Sequence, residues 1–259
     1  MNREENGGFA PLFALNGAVA CVFFLVSAGF SLKLDLTGFL FSLAFALTVA
    51  LSLFSNMRVL RFMDVAQVTL ISSSFYVIVT VILGFVLFSE PFSWLKLLRV
   101  GLVTAAFVLI FIARRDTLRS EPGFLPSLVL TAVSLVAAFL VQKYFTLAET
   151  LTDNNSFCFF TNLILLSAAL PFAVKRLSGG KFRLGAPTTV LVYCLHTVSS
   201  NVGSLLGLLL IASTDVAFYT PFTSAAGIIC GVAASFVFRE KLSAASFIAV
   251  LLAVAAVFV

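Results

Sequence analysis

The sequence predicts an all-α integral membrane protein: one membrane domain over residues 1–259, with nine transmembrane helices forming an inverted two-repeat bundle of four helices followed by five. Three observations carry the prediction. Of 259 residues, 61% are hydrophobic and only 10% are charged, against about 25% charged in an ordinary soluble domain, and the mean hydropathy is +1.14. The apolar residues are gathered into runs of about 20, the length that crosses a hydrocarbon core about 30 Å thick. A pattern from the middle of the chain recurs near its end.

The first segment, 9–30, follows the polar start MNREENGG and is a full-length apolar run, not the short core of a cleavable leader. SLKLD separates it from the second, 37–57, and NMRVLRFMD leads to the third, 65–88. SEPFSW makes a hairpin into the fourth, 95–113, and RRDTLRSEPG leads to the fifth, 124–146. AETLTDNN precedes the sixth, 156–174, and KRLSGGKFRLG the seventh, 187–211. STD opens the eighth, 215–237, and REKLS the ninth, 243–259. Nothing remains for a soluble domain. The thirty phenylalanines are accounted for by lipid contact and bundle filling.

The net charge of +5 sits in these connections, as orienting charges do, so nucleic acid is not an expected partner. Of the 16 lysines and arginines, Lys33, Lys96, Arg99 and Lys143 fall on one side and the others on the side of Met1. The excess of positive charge inside places Met1 in the cytoplasm. Cys21, Cys158, Cys194 and Cys230 stand singly in apolar segments without CxxC or histidine spacing, so they read as small apolar filler, and neither a metal nor a cofactor is expected.

The repeat is specific at both ends. Asp64-Val65-Ala66 recurs as Asp215-Val216-Ala217, with Thr69 matching Thr220 and Ser73 matching Ser224. One residue out of register, Phe88-x-Glu90 recurs as Phe238-x-Glu240, followed by Ser93 and Ser243, Val100 and Val250, and Ala105-Ala106 and Ala255-Ala256. The repeated helices are the third and the eighth. Their odd separation makes them cross the membrane in opposite directions, as in inverted-topology repeats. Asn6-Gly7-Gly8-Phe9 also opens the first segment much as Asn154-Asn155-Ser156-Phe157 opens the sixth. The repeats therefore span 9–113 and 124–259, and the first lacks a counterpart of the fifth helix.

DVAQVTLISSSFYVIVTVILGFVLFSEPFSWLKLLRVGLVTAAFVLI and DVAFYTPFTSAAGIICGVAASFVFREKLSAASFIAVLLAVAAVF resemble the fourth and fifth helices of each half in the EamA-like family of the drug/metabolite transporter superfamily. Glu90 and Glu240 stand at the hairpins. The resemblance covers essentially the whole chain and rests on a diffuse pattern, not an invariant motif. It implies a ten-helix, two-repeat carrier of small molecules, of which this chain lacks the first helix. A lateral opening beside the third and fourth helices is then expected. The family layout would put the start of the first segment outside, opposite to the reading from charge.

Polar residues inside spanning helices are the candidates for function, because leaving them unpaired there is costly. On the third helix Thr69, Ser73, Tyr76 and Thr80 share one face, flanked by Ser72. On the eighth, Tyr219, Thr220, Thr223 and Ser224 cluster, continued by Gly227 and Gly231, and Pro221 should kink the helix start. Hydroxyls can equally bond carbonyls one turn back and serve packing alone. His196, the single histidine, and Asn201 stand on the seventh helix with Thr197, Ser199 and Ser200. His196 reads as a buried neutral imidazole more readily than as a proton-coupling group. Gly203-x3-Gly207 permits close helix approach. Glu90 reads as a hairpin cap or interfacial ion pair, and Lys143 as a side chain snorkelling to the interface.

The expected substrate site is Thr69, Ser72, Ser73, Tyr76, His196, Asn201, Tyr219, Thr220, Thr223 and Ser224, with no catalytic residue and no metal ligand. Its neutral, hydroxyl-rich lining suits a small polar metabolite, uncharged or zwitterionic, such as an amino acid, a sugar derivative or a drug-like molecule. Expected partners are the lipid bilayer of the plasma membrane, bacterial in type, that small-molecule substrate, and a second copy in a homodimer. The alternative is a truncated or non-transporting membrane protein that acts as a subunit or pseudo-transporter. An enzyme is not expected: no HExxH or comparable signature occurs, and the acidic residues lie at or near connections.

Overall fold

The computed structural model describes residues 9–60, 65–91, 93–113, 124–178, 187–216, 218–224, 226 and 244–258. Among these residues the chain is all-helical, without strands. The helices are α1 (Phe9–Ser27), α2 (Leu36–Val59), α3 (Val65–Leu87), α4 (Trp94–Ala113), α5 (Phe124–Leu147), α6 (Asn154–Ser178), α7 (Pro187–Ser213) and α8 (Ala244–Phe258). Residues 218–224 are also helical. Four stretches among the described residues are long and apolar enough to cross a membrane: Leu36–Val59, Leu125–Leu147, Asn154–Lys175 and Cys194–Ser213. Leu40, Leu47, Leu51 and Phe54 on α2 are all exposed. Such a band is a liability in water and an ordinary surface against lipid, so the chain reads as a membrane protein. Asp64, Gly227, Gly231, Cys230 and Glu240 lie outside the described residues, as does the side chain of Thr69.

The chain divides into two compact units, each drawn from two separate stretches of the sequence. The first comprises residues up to Leu47 and Val141–Ala212, and the second Thr48–Leu140 and Ser213–Val259.

In the first unit α1 packs against α6, antiparallel. Cys21 Sγ approaches the Phe159 carbonyl, while Gly17, further back along α1, meets Leu166, further on along α6. A Cβ at Gly17 would stand 3.0 Å from Leu166 Cβ, so the glycine permits the close approach. The core below is aromatic: Phe145 stacks on Phe157 at 4.1 Å, flanked by Phe41 and Phe45. Ala20, Phe24 and Leu208 close it.

Helix ends in this unit are closed by local chemistry. Gly29 and Phe30 take left-handed backbone (φ 58° and 62°), and Phe30 N donates to Leu25 O across the end of α1. The turn ends α1 three residues before the limit of the segment read from the sequence. Asp35 Oδ1 accepts from Gly38 N at the start of α2, and Asp153 Oδ1 from Ser156 N at the start of α6. Thr150 and Thr152 hydroxyls both donate to Asp35 Oδ1 at 2.6 Å, and Asp35 N donates to Thr152 Oγ1. The α1–α2 and α5–α6 connections are thus locked together. The threonine hydroxyls, joined by the Gly38 and Leu151 amides, hold the Asp35 carboxyl well below the usual carboxylate range.

In the second unit α4 packs against α8, again antiparallel: Ala106 shares a cluster with Ala249, and Val103 with Ala256. Thr131 on α5 donates to Ser55 on α2 at 2.9 Å, and Ser55 donates back to Leu51 O. These buried hydroxyls join two helices in a setting where no water competes for the bond.

Candidate functional site

The second unit gathers most of the hydroxyl and aromatic candidates. Residues 218–224 run antiparallel to α3: a Cβ at Gly84 would meet Val216, while Tyr76, two turns earlier on α3, is paired with Thr223 and neighbours Tyr219. Phe139 of α5 stands between the two tyrosines. Its ring is edge-on to Tyr76 (centroids 5.9 Å) and stacked with Tyr219 (6.0 Å).

The hydroxyls around this trio divide by partner. Thr80 donates to Tyr76 O, Thr220 to Val216 O and Thr223 to Tyr219 O, each one turn back. For Thr80 and Thr220, both buried, that is the packing role open to any helical threonine. Ser72 and Ser224 differ. They are 5% and 7% exposed, and among the described residues neither hydroxyl has a hydrogen-bond partner, nor does that of buried Ser74. Ser72 lies one turn from Tyr76, and Ser224 adjoins Thr223. Ser73, the sequence match of Ser224, is only half-buried, so the inward edge of the α3 stripe passes through Ser72. Pro221 is buried within the helical 218–224 stretch.

One end of this unit carries a charged cluster. Lys96, 8% exposed, places Nζ 3.4 Å from Glu90 Oε2 and 3.0 Å from Asp215 Oδ2. Glu90 Oε1 accepts the amide of Val216, and Glu90 N donates to Gly84 O. Glu90 is therefore in an ion pair, one of the two roles read from its position, while its other carboxylate oxygen bonds Val216 outside the hairpin. Ser89, held at φ 51°, makes the turn. Arg99, one turn beyond Lys96, lies over the Phe218 ring at 5.7 Å.

His196 and Asn201 belong to the first unit. His196 is exposed, not buried as expected, and lies in an exposed polar stripe with Ser199, Ser200, Gly203 and Ser204. Asn201 is buried, and its Nδ2 has no partner among the described residues. Lys143 does not snorkel outward: it is buried, and Nζ donates to Ile211 O at 2.7 Å in the last turn of α7, where a cation meets the carbonyl end of the helix. A groove of about 500 Å³, lined by Ala18, Val22, Phe23, Val26 and Val198, opens along α1 and α7. The lateral opening expected from the sequence was beside α3 and α4.

Phe139, Lys96 and Asp215 escaped the sequence reading as site residues. Phe139 has no local signal among thirty phenylalanines. Lys96 and Asp215 each sit at a helix start with partners far away in sequence. Among the described residues no group of three or more His, Cys, Asp or Glu is placed to hold a metal. A comparison with protein-family models finds no match, and a comparison with curated proteins finds none either.

Proposed function

We propose that the chain is a multi-pass secondary transporter of the drug/metabolite type in a bacterial plasma membrane, built as a nine-helix inverted two-repeat. Three pairs of segments matched by sequence pack side by side and antiparallel: α1 with α6, α3 with 218–224, and α4 with α8. Within each unit, a two-fold axis in the membrane plane would produce such pairs, because it carries a helix onto its counterpart with direction reversed.

The observation that carries the transport reading is the pair of buried hydroxyls on Ser72 and Ser224, without a partner among the described residues, on the two helical stretches that carry Tyr76 and Tyr219 of the aromatic trio. A buried polar group without a partner costs about 1–3 kcal/mol, and such groups are rare in folded proteins. A substrate hydroxyl, amine or carbonyl would offset that cost, while its apolar part lies against the rings. The described residues named here, Ser72, Tyr76, Phe139, Tyr219 and Ser224, are all uncharged, which favours a neutral or zwitterionic substrate.

The exposed polar stripe on α7 favours a second reading, a non-transporting subunit whose α7 is covered by a helix of another chain. Thermal stability of the purified protein across neutral, zwitterionic, cationic and anionic metabolites separates the two. At least one neutral or zwitterionic compound should stabilise the native protein and leave Ser224→Leu unchanged. Stabilisation by none would remove the transport reading.

A further inference from the structure

We infer that Glu90, Lys96 and Asp215 form a charge latch that holds the α3–α4 hairpin against the start of the 216–224 segment and closes that end of the substrate site. The inference deepens the transport reading and rests on it for its purpose, although the latch can be tested without any substrate.

The geometry is specific. Lys96 rises from the first turn of α4 and bridges carboxylates from two other elements, Glu90 in the hairpin and Asp215 before residue 216. Glu90 is engaged on both oxygens, Oε2 by Lys96 and Oε1 by the Val216 amide. The hairpin is therefore tied to the helical segment by a main-chain bond as well as by charge. Gly84 lets the two come together, since a Cβ there would lie 3.3 Å from both Glu90 Oε2 and Val216 Cβ. Ser89 is held in left-handed backbone, a conformation unfavourable for a residue with a side chain and maintained here by its surroundings.

The latch is set apart from the aromatic trio. Gly84 and Tyr76 are eight residues apart on α3, about 12 Å at helical rise, with Val77, Thr80 and Val81 buried between them. A change at the latch thus reaches the site through the separation of α3 from the 216–224 segment, which carries Tyr219, Thr223 and Ser224. The sequence match of Lys96 is Ser246, which cannot make the same bridge. The counterparts of Glu90 and Asp215, Glu240 and Asp64, lie outside the described residues, and the latch is assigned to the end that carries Lys96. Asp215 has a side chain 54% exposed whereas those of Glu90 and Lys96 are 8% and 10% exposed, so the Asp215 arm is the one water can compete for, and it opens first.

The test is the rate at which a water-soluble thiol reagent labels Thr223→Cys in full-length protein whose other cysteines, except Cys158, are replaced by serine. Cys158, buried in the first unit, reports general loosening. Lys96→Met should accelerate labelling at 223 by about ten-fold by shifting the population toward the open state. Asp215→Asn should accelerate it less, and Lys96→Arg should retain the slow rate, with Cys158 slow throughout. If Lys96→Met also exposes Cys158, Asp215→Asn decides: faster labelling at 223 with Cys158 still protected supports the latch. Unchanged labelling at 223 in Asp215→Asn and in a folded Lys96→Met overturns it. Faster labelling in a protein that binds no metabolite supports the latch while removing the transport reading.

Discussion

Phe157→Ala tests the packing of the first unit and the medium that surrounds it. Phe157 is fully buried near the start of α6, stacked on Phe145 at 4.1 Å and 5.4 Å from the Phe45 ring. In a water-soluble core a Phe→Ala change costs about 3–5 kcal/mol, of which about 1.5–3 kcal/mol is transfer from water. That transfer part has no counterpart when the unpacked helix stays in lipid, because lipid tails are as apolar as the core. The remainder is about 2 kcal/mol. Two aromatic pairs at about 0.5–1.5 kcal/mol each give a similar figure. Phe172 provides the control: it lies on the same helix but is 67% exposed, so Phe172→Ala should cost almost nothing in a bilayer. Reversible unfolding in bicelles, with both variants compared to the native protein, measures the difference. Equal costs for Phe157 and Phe172, or a cost for Phe157 below about 0.5 kcal/mol, would refute the packing.

Gly38→Ala should lower thermal stability, because the new Cβ would overlap both Oγ1 and Cβ of Thr152 and break the lock on Asp35; adding Thr152→Gly should recover part of the loss in a thermal melt. Asp35 itself gives a pH signature. Its carboxyl is held below the ordinary value of 3.8, so its stabilisation is fully present above about that pH and disappears as pH falls through the lower folded-state value. The melting-temperature difference between native protein and Asp35→Asn should accordingly be constant above pH 5 and shrink below about pH 4. Lys143→Met should destabilise by about 1–3 kcal/mol, read by the same unfolding assay, because it leaves the Ile211 carbonyl buried without this donor.

The sequence made the helices legible because the bilayer imposes a length on each apolar run, and SLKLD and SEPFSW fall where α1 and α3 give way to the next helices. Glu90 was readable as a cap or ion pair because its position at a hairpin restricts what it can do. Its partners were not readable. Lys96 reads as an orienting charge until the fold brings up Asp215, 119 residues away. The Asp35–Thr150–Thr152 lock was hidden for the same reason, since it joins two connections that each look like ordinary polar breaks. Helical periodicity found the α3 stripe but not its inward edge: Ser72 and Ser73 are 100° apart, and only packing decides that Ser72 is the buried one. Burial of Lys143 and exposure of His196 likewise depend on neighbouring helices, not on their own segments.

The most direct test of transport uses purified protein in vesicles loaded with a mixture of neutral, zwitterionic, cationic and anionic metabolites, followed by mass spectrometry of what each vesicle retains. Native protein should release a neutral or zwitterionic metabolite about ten-fold faster than Ser224→Leu inserted to the same level, the change expected for about 1.4 kcal/mol of lost interaction. Equal retention by native protein, Ser224→Leu and protein-free vesicles for every metabolite would contradict a carrier with its site at Ser72, Tyr76, Tyr219 and Ser224.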